Sequence, residues 1–149
     1  MLNKGALSGI RVLDMTRVVA GPYAGQILGD LGAEVVKIER KGEGDDCRRV
    51  GPPWMDNELG RQGQDSTYYQ SVNRNKSSIS VDFATEAGAD LIRQLVANAD
   101  VLVESYRSGT LARYGLGYEE LKAINPKLIY CWVTGFGQTG PYAGRSGYD

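Results

Sequence analysis

The chain has 149 residues, of which 42% are hydrophobic and 23% charged, so it can bury one core and fits a single domain. Its 17 basic residues nearly balance its 18 acidic residues, which excludes the strong positive field typical of proteins that bind nucleic acid or anionic membranes. It contains no histidine, which excludes Ser-His triads and histidine metal sites within these residues.

The first third of the chain has the pattern of a βαβ unit. Residues 10–15 are rich in β-forming residues and predict a strand. After Gly21-Pro22, the apolar residues of segment 23–31 recur at helical spacing, and this predicted helix ends at Gly32. A short link then leads to a second predicted strand at residues 35–38, which is the connection expected between parallel strands.

The middle of the chain begins with an irregular segment. Residues 41–65 combine glycine, proline and mixed charge, which predicts a long loop without regular structure. A short helix is predicted at residues 67–72 and a strand at residues 78–83. Residues 85–97 then predict an amphipathic helix with Leu91, Ile92 and Leu95 facing inward.

The last predicted elements are a strand at residues 101–104, a helix at 118–124 and a strand at 128–133. Cys131 and Trp132 lie on this last strand, which we predict to be buried. Together the elements predict an α/β, Rossmann-like fold: an open, mostly parallel sheet with helices on both faces, forming one domain over residues 1–149. Ligands of such a fold bind at the carboxyl ends of the strands.

Several kinds of site are disfavoured by the residues themselves. The turn at residues 14–22 lacks the G-x-G-x-x-G spacing of a dinucleotide site, although a small-residue loop opening a helix can still approach an anion or an adenine. The alternative is a purely structural turn. Cys47 and Cys131 have no partner at metal-ligand spacing, so we expect reduced, inert thiols. Residues 44–46 offer too few oxygen ligands for a calcium loop, and Asp14 is interpreted as a structural carboxylate at a strand end.

No segment is long and apolar enough to predict a membrane span, and the first residues lack the apolar segment of a signal peptide. We therefore expect a cytoplasmic protein without membrane contact. The balanced charge likewise gives no reason to expect nucleic acid as a partner.

Seven stretches carry a more specific pattern in order and in spacing. They are GIRVLD at 9–14, AGP at 20–22, LGAEVVKIER at 31–40, GDDCR at 44–48, NRNK at 73–76, ADVLVE at 99–104 and TGFGQTGP at 134–141. With these stretches the chain resembles the N-terminal part of family III coenzyme A transferases, the CaiB/BaiF family of formyl-CoA transferase and carnitine CoA-transferase. The resemblance covers almost the whole chain.

The resemblance implies a coenzyme A site assembled from strand ends. Arginine suits the nucleotide part because its planar fork binds phosphate and stacks on adenine; the alternative for Arg40 is an exposed charge. Family members often have asparagine where Ser105 stands. The implied coenzyme A contacts are Val18, Val19, Ala20, Arg40, Val81, Asp82, Phe83, Ala84, Ser105, Tyr106, Arg107, Arg113, Arg145, Ser146 and Gly147, with Tyr148 and Asp149 in the substrate pocket. Residues 73–76 are interpreted as a polar turn with solvated charge, or as a structural or substrate-facing segment.

The resemblance also implies the chemistry. Family III enzymes use an aspartate nucleophile that forms an aspartyl-CoA thioester, and its place is about 30 residues after Asp149, roughly one supersecondary unit. We therefore expect no catalytic residue within this chain and no turnover by it alone. The related α-methylacyl-CoA racemases have a histidine base where Tyr148 stands, and tyrosine is a poor base at neutral pH, so a transferase is favoured over a racemase.

The expected partners follow from the same resemblance. They are acyl-CoA and a small carboxylic acid as substrates, no metal, and an interlocked homodimer for the whole family protein. Two other functions stay open at this point. One is a non-catalytic CoA-binding module completed by another chain, and the other is an unrelated α/β nucleotide-binding protein.

Overall fold

The computed structural model describes residues 5–56 and 62–147. In these residues no helix is long and apolar enough to cross a membrane. Short 3-10 helices occupy Asp46–Arg49 and Leu111–Tyr114. The other elements are β1 (Arg11–Met15), α1 (Ala20–Asp30), β2 (Glu34–Glu39), β3 (Trp54–Asp56), β4 (Gln62–Ser66), α2 (Thr67–Ser71), β5 (Lys76–Ser80), α3 (Glu86–Val96), β6 (Val101–Glu104), α4 (Tyr118–Ile124) and β7 (Ile129–Trp132).

Five strands form one parallel sheet in the order β5-β2-β1-β6-β7. The predicted α/β fold with a parallel sheet is therefore confirmed. Because all five strands run the same way, their carboxyl ends meet at one edge, and the segments that follow β1, β2, β5 and β6 gather there. In this register Met15 of β1 lies beside Glu104 of β6, which lies beside Trp132 of β7.

Both faces of the sheet are covered, as predicted. Alternate side chains of one strand point to opposite faces, so Leu13 packs with Ile92 of α3 and Leu121 of α4, whereas Val12 packs near Leu28 of α1. The larger cluster lies on the α3 and α4 side and the smaller one on the α1 side.

Helix α1 approaches the sheet through its small residues. A Cβ atom added at Gly25 would lie 2.9 Å from an Asp14 carboxylate oxygen, so only glycine permits this spacing. The predicted helix is confirmed, but its large apolar residues are not its buried side: Tyr23, Ile27 and Leu31 remain 44–51% exposed. The residues that it buries are Gly21, Pro22, Gly25, Gln26 and Gly29.

The prediction that residues 41–65 lack regular structure was wrong. The 3-10 helix Asp46–Arg49 forms because the Asp45 carboxylate accepts a hydrogen bond from the backbone N–H of Cys47 and caps the helix. Strands β3 and β4 pair antiparallel, with Trp54 opposite Ser66. Strand β4 is built from polar residues and glycine, so it carries no alternating apolar signal that sequence reasoning could detect.

Two predictions of burial were also wrong. On α3 the buried stripe is Ala89, Ile92 and Val96, and Leu91 lies beside it with 40% of its surface exposed. On β7 both Cys131 and Trp132 are exposed, because in the part of the chain that the structure describes β7 lies at the edge of the sheet, where β6 is its one neighbour.

The turn before α3 gives a first prediction about stability. A Cβ atom at Gly88 would lie 1.9 Å from the backbone oxygen of Asp82, so Gly88→Ala must displace the connection between β5 and α3. We expect it to lower the free energy of unfolding by about 2–3 kcal/mol. Urea denaturation checks this, with Gly144→Ala as the control because nothing lies within 4 Å of its Cβ position. Equal stability of the two variants would contradict the prediction.

Candidate functional site

The loop after β1 contacts the loop after β6 at the carboxyl edge of the sheet. The backbone N–H of Arg17 donates to the Ser105 hydroxyl over 3.0 Å, and the Arg17 guanidinium lies 5.3 Å from the centre of the Tyr106 ring. Val18 and Val19 follow directly in the same loop and are partly exposed, and Ala20 begins α1. Two of the segments implied by the resemblance, residues 18–20 and 105–107, therefore lie side by side.

The segment after β5 joins this group through aromatic contacts. The rings of Phe83 and Tyr106 meet edge to face with their centres 5.3 Å apart, and Phe83 also contacts Tyr114. Val81 is buried in the core. Asp82 and Ala84 are exposed, and the Asp82 carboxylate accepts a hydrogen bond from the Ala84 N–H.

The last predicted contacts are spread more widely. Arg107 donates to the Ser146 hydroxyl over 3.3 Å, which connects residues 105–107 with residues 145–147. The Arg145 guanidinium stacks on the Tyr142 ring 4.2 Å away, and Arg113 is exposed in its 3-10 helix. Tyr148 and Asp149 lie outside the described residues.

Arg40 and Arg17 share one carboxylate at this edge. Arg40 Nη2 lies 2.6 Å from one Asp46 oxygen, and Arg17 Nη1 lies 3.1 Å from the other. Arg40 also pairs with Glu43 over 3.2 Å. Both arginines are only partly buried, so their guanidinium groups are accessible to a phosphate that competes with Asp46. Arg17 was not among the predicted residues.

Beneath the loops lies a buried charge network on the α1 side. Lys76 Nζ lies 2.8 Å from Asp14 and donates to the Pro22 carbonyl over 2.7 Å. Lys37 Nζ lies 2.8 Å from Asp45, and these four charged side chains are at most 2% exposed. The network fixes Asp14 as a structural carboxylate. The Lys76 ammonium group is buried, which fits the structural interpretation of residues 73–76, whereas the Arg74 side chain is exposed.

Glu39 anchors the end of β2 to the segment that follows. Burial alone would raise the pKa of Glu39, but hydrogen bonds from Arg48, Ser78 and the Asp45 N–H lower it to about 2. The Arg48 guanidinium also lies 3.8 Å from the centre of the Tyr69 ring. The carboxylate is therefore ionised at neutral pH and holds the residues after β2 against β5 and α2.

A second buried glutamate has a raised pKa, in contrast to the lowered pKa of Glu39. Glu104, at the end of β6, is 4% exposed and accepts a hydrogen bond of 2.5 Å from the Tyr106 N–H. Burial raises its pKa to about 7, and the hydrogen bond opposes this only in part. Sequence reasoning missed Glu104, although a glutamate that ends an apolar strand at the ligand edge is a signal that could have identified it.

These side chains define what the edge can bind. Arg17, Arg40 and Arg107 offer donors for an anion, and Phe83 and Tyr106 provide an aromatic surface beside them. This combination of cations and aromatic rings suits a phosphorylated ligand with a large organic part. The carboxylates of Asp45 and Asp46 form ion pairs with Lys37 and Arg40 respectively.

Comparisons with known proteins indicate a family of enzymes that act on coenzyme A. Residues 7–149 match the family model for CoA-transferase family III. The chain is 52% identical over 146 residues to succinate-glutarate CoA-transferase of Agrobacterium fabrum, covering 98% of this chain and 36% of that protein. It is 52% identical over 149 residues to succinyl-CoA:glutarate CoA-transferase of Homo sapiens, covering 100% and 32% respectively.

A solved structure agrees. A CaiB/BaiF family protein from Brucella suis superposes with a TM-score of 0.92 at 53% identity, covering 99% of this chain and 38% of that chain. The chain thus spans about a third of the length of the curated relatives it matches. Since the family model extends over residues 7–149, the chain belongs to CoA-transferase family III.

Proposed function

We propose that the protein containing this chain transfers coenzyme A between an acyl-CoA and a carboxylic acid. We further propose that the loops after β1, β5 and β6 of this chain line the coenzyme A site, and we call these loops the coenzyme A wall. The observation that carries the proposal is the contact between the loops after β1, β5 and β6. Arg17, Ser105, Tyr106 and Phe83 connect them at the carboxyl edge, where open α/β sheets bind ligands.

We propose short dicarboxylic acids as the substrate class. The relatives are named for succinate with glutarate, for oxalate, for citramalate and for malate. All of these acids carry two carboxylates on a short carbon chain. The substituents of these acids differ, so the proposal commits to the class and not to one donor and acceptor pair.

The proposed reaction exchanges one thioester for another. A carboxylate of the enzyme attacks the acyl-CoA carbonyl, and the CoA thiolate leaves as a mixed anhydride forms. The thiolate then attacks the carbonyl carbon that belongs to the enzyme's carboxyl group, which forms an enzyme-CoA thioester and releases the acyl group as a free carboxylate. The acceptor carboxylate then attacks the enzyme thioester, and the CoA thiolate leaves as a second mixed anhydride forms. The thiolate attacks the acceptor's carbonyl carbon in this anhydride, which forms the new acyl-CoA and releases the enzyme carboxylate, so no water, metal or oxidant is consumed. By the family resemblance, the reacting aspartate lies outside this chain.

The residues of this chain have supporting parts in that scheme. The arginines at the sheet edge bind the phosphates and fix the position of the cofactor. The ring pair of Phe83 and Tyr106 forms an apolar wall that limits access of water to the bound molecule. Binding energy from the nucleotide is then available to orient the distant thioester.

The experiment that tests the proposal separates binding from turnover. Isothermal titration of the 149-residue chain with coenzyme A is expected to show binding, whereas a mixture of succinyl-CoA and glutarate is expected to yield no glutaryl-CoA. Tighter binding of NAD than of coenzyme A would contradict the proposed site. Exchange by the chain alone would contradict the assignment of the nucleophile to a position outside it.

A variant at the phosphate side sharpens this test. Arg40→Ala is expected to weaken coenzyme A binding at least about tenfold, because hydrogen bonds between a guanidinium and phosphate are charge-assisted. Arg11→Ala is the matched control, since Arg11 lies at the opposite, amino edge of the sheet and pairs with Glu34. Equal affinity of the two variants would remove Arg40 from the site.

The proposal includes assembly and location. We propose an interlocked homodimer, as the resemblance implies, and a cytoplasmic location, as expected in the sequence analysis. Apolar side chains exposed on α1 and β7, including Ile27, Ile129 and Trp132, support the existence of a covering surface. Sedimentation analysis of the whole protein checks the dimer, and a monomer at micromolar concentration would contradict it.

A further inference from the structure

The backbone of Val18 has a conformation that valine rarely adopts. Its φ is +69°, in the left-handed region, where the Cβ atom crowds the backbone and β-branching adds to the cost. A residue in this region persists only where its surroundings hold it, and such residues concentrate at ligand sites. Val18 begins the segment 18–20 of the proposed coenzyme A wall.

Both backbone polar groups of Val18 are held by one short segment. The Asp45 carboxylate accepts a hydrogen bond of 3.1 Å from the Val18 N–H. The Cys47 thiol donates a hydrogen bond of 2.8 Å to the Val18 carbonyl. The two holding side chains are at most 1% exposed, so water does not replace them readily.

The holding segment is itself fixed to the sheet. Asp45 forms an ion pair with Lys37 of β2 over 2.8 Å, and Lys37 also donates to the Thr16 carbonyl over 3.0 Å. Asp45 further accepts from the Cys47 N–H. Burial raises the pKa of the Cys47 thiol to about 12, and the charge of Asp45 adds to this rise. The thiol therefore stays protonated, as a hydrogen-bond donor must.

We propose that Asp45 and Cys47 are positioning residues that hold Val18 in its left-handed conformation and thereby shape residues 18–20 for coenzyme A. The inference rests on the proposed function. Without the two hydrogen bonds, Val18 relaxes towards an extended conformation. That rotation turns the peptide planes on both sides of Val18 and moves Val19 and Ala20 relative to Ser105 and Tyr106.

The first measurement reads the loop without any ligand. Cys47→Ala removes the hydrogen bond from the thiol to the Val18 carbonyl, which leaves Val18 held by Asp45 alone. We expect the Val18 amide to exchange its hydrogen about five to ten times faster relative to the Leu13 amide of β1, because the loop opens more often. Cys47→Ser keeps a donor and is expected to restore most of the protection. Exchange of the Val18 amide that stays unchanged in Cys47→Ala would overturn the proposal, whether or not the chain binds coenzyme A.

The second measurement reads the proposed ligand contact. Cys47→Ala is expected to raise the dissociation constant of coenzyme A about fivefold. Glycine adopts positive φ freely, so in a Val18→Gly background the same substitution is expected to change the constant less than twofold. An equal effect in both backgrounds would overturn the positioning role. If the unsubstituted chain does not bind coenzyme A, the proposed function is contradicted instead. The exchange rates alone then test whether Asp45 and Cys47 hold Val18 in its conformation.

Discussion

Replacing Lys76 with methionine is expected to lower the free energy of unfolding by about 3–5 kcal/mol at pH 7, because it leaves the Asp14 carboxylate buried without its cation. The two side chains are 2% and 0% exposed, and their charged atoms lie 2.8 Å apart. Burial lowers the pKa of Lys76, and Asp14 opposes that effect. Lys76 also donates to the Pro22 carbonyl and the Asn73 side chain, so the substitution leaves more than one acceptor unsatisfied.

A double-mutant cycle identifies the cause of that loss. Asp14→Asn removes the uncompensated charge, so the double variant with Lys76→Met is expected to recover part of the stability that the single lysine variant loses. Lys127→Met, at an exposed lysine, is the control and is expected to change stability by less than about 0.5 kcal/mol. Additive losses in the double variant would show that the ion pair is not the source of the effect. Urea denaturation monitored by circular dichroism gives all of these values.

The buried charge network is a part of the fold that the sequence pattern did not predict. Strands such as 35–38 and 101–104 were predictable because their apolar runs match strand length and recur between helical patterns. Lys37 interrupts the first of these runs and would normally be interpreted as a solvated charge. Its burial depends on Asp45, which lies in a segment without periodicity, so no local pattern predicts the pair.

The candidate site was predictable to a different degree. The family resemblance named segments, and the parallel sheet confirms that the segments after β1, β2, β5 and β6 share one edge. The contacts between segments, such as Phe83 with Tyr106, depend on side-chain geometry that spacing does not contain. Arg17 was missed for the same reason, because its role depends on Asp46, which follows a different strand.

Edge strands set a further limit. Residues 128–133 have the composition of a buried strand, and Tyr130 is in fact 8% exposed. Cys131 points to the other face, where the described residues leave it exposed. Composition predicts that a segment forms a strand, but the position of the strand in the sheet decides how much of it is covered.

Substituting Glu104 with glutamine is expected to stabilise the protein at pH 8 by about 3 kcal/mol. Burial raises the pKa of this carboxyl from 4.5 to about 7 in the folded protein. As pH rises from 4.5 to 7, the carboxyl ionises in the unfolded chain before it ionises in the folded protein, which favours unfolding. The penalty is therefore absent below pH 4.5, grows between pH 4.5 and 7, and is fully present above pH 7.

Glutamine removes this penalty because it is neutral at every pH and can still accept the hydrogen bond from the Tyr106 N–H. Unfolding in urea at pH 4 and at pH 8 tests the expectation, with Glu119→Gln on the exposed side of α4 as the control. The difference between Glu104→Gln and the unsubstituted chain is expected to be small at pH 4 and large at pH 8. A difference of the same size at both pH values would mean that packing, and not the buried charge, separates the two proteins. A stability gain that appears only at high pH would show that this strand end keeps an acid whose ionisation opposes folding beside the proposed coenzyme A wall.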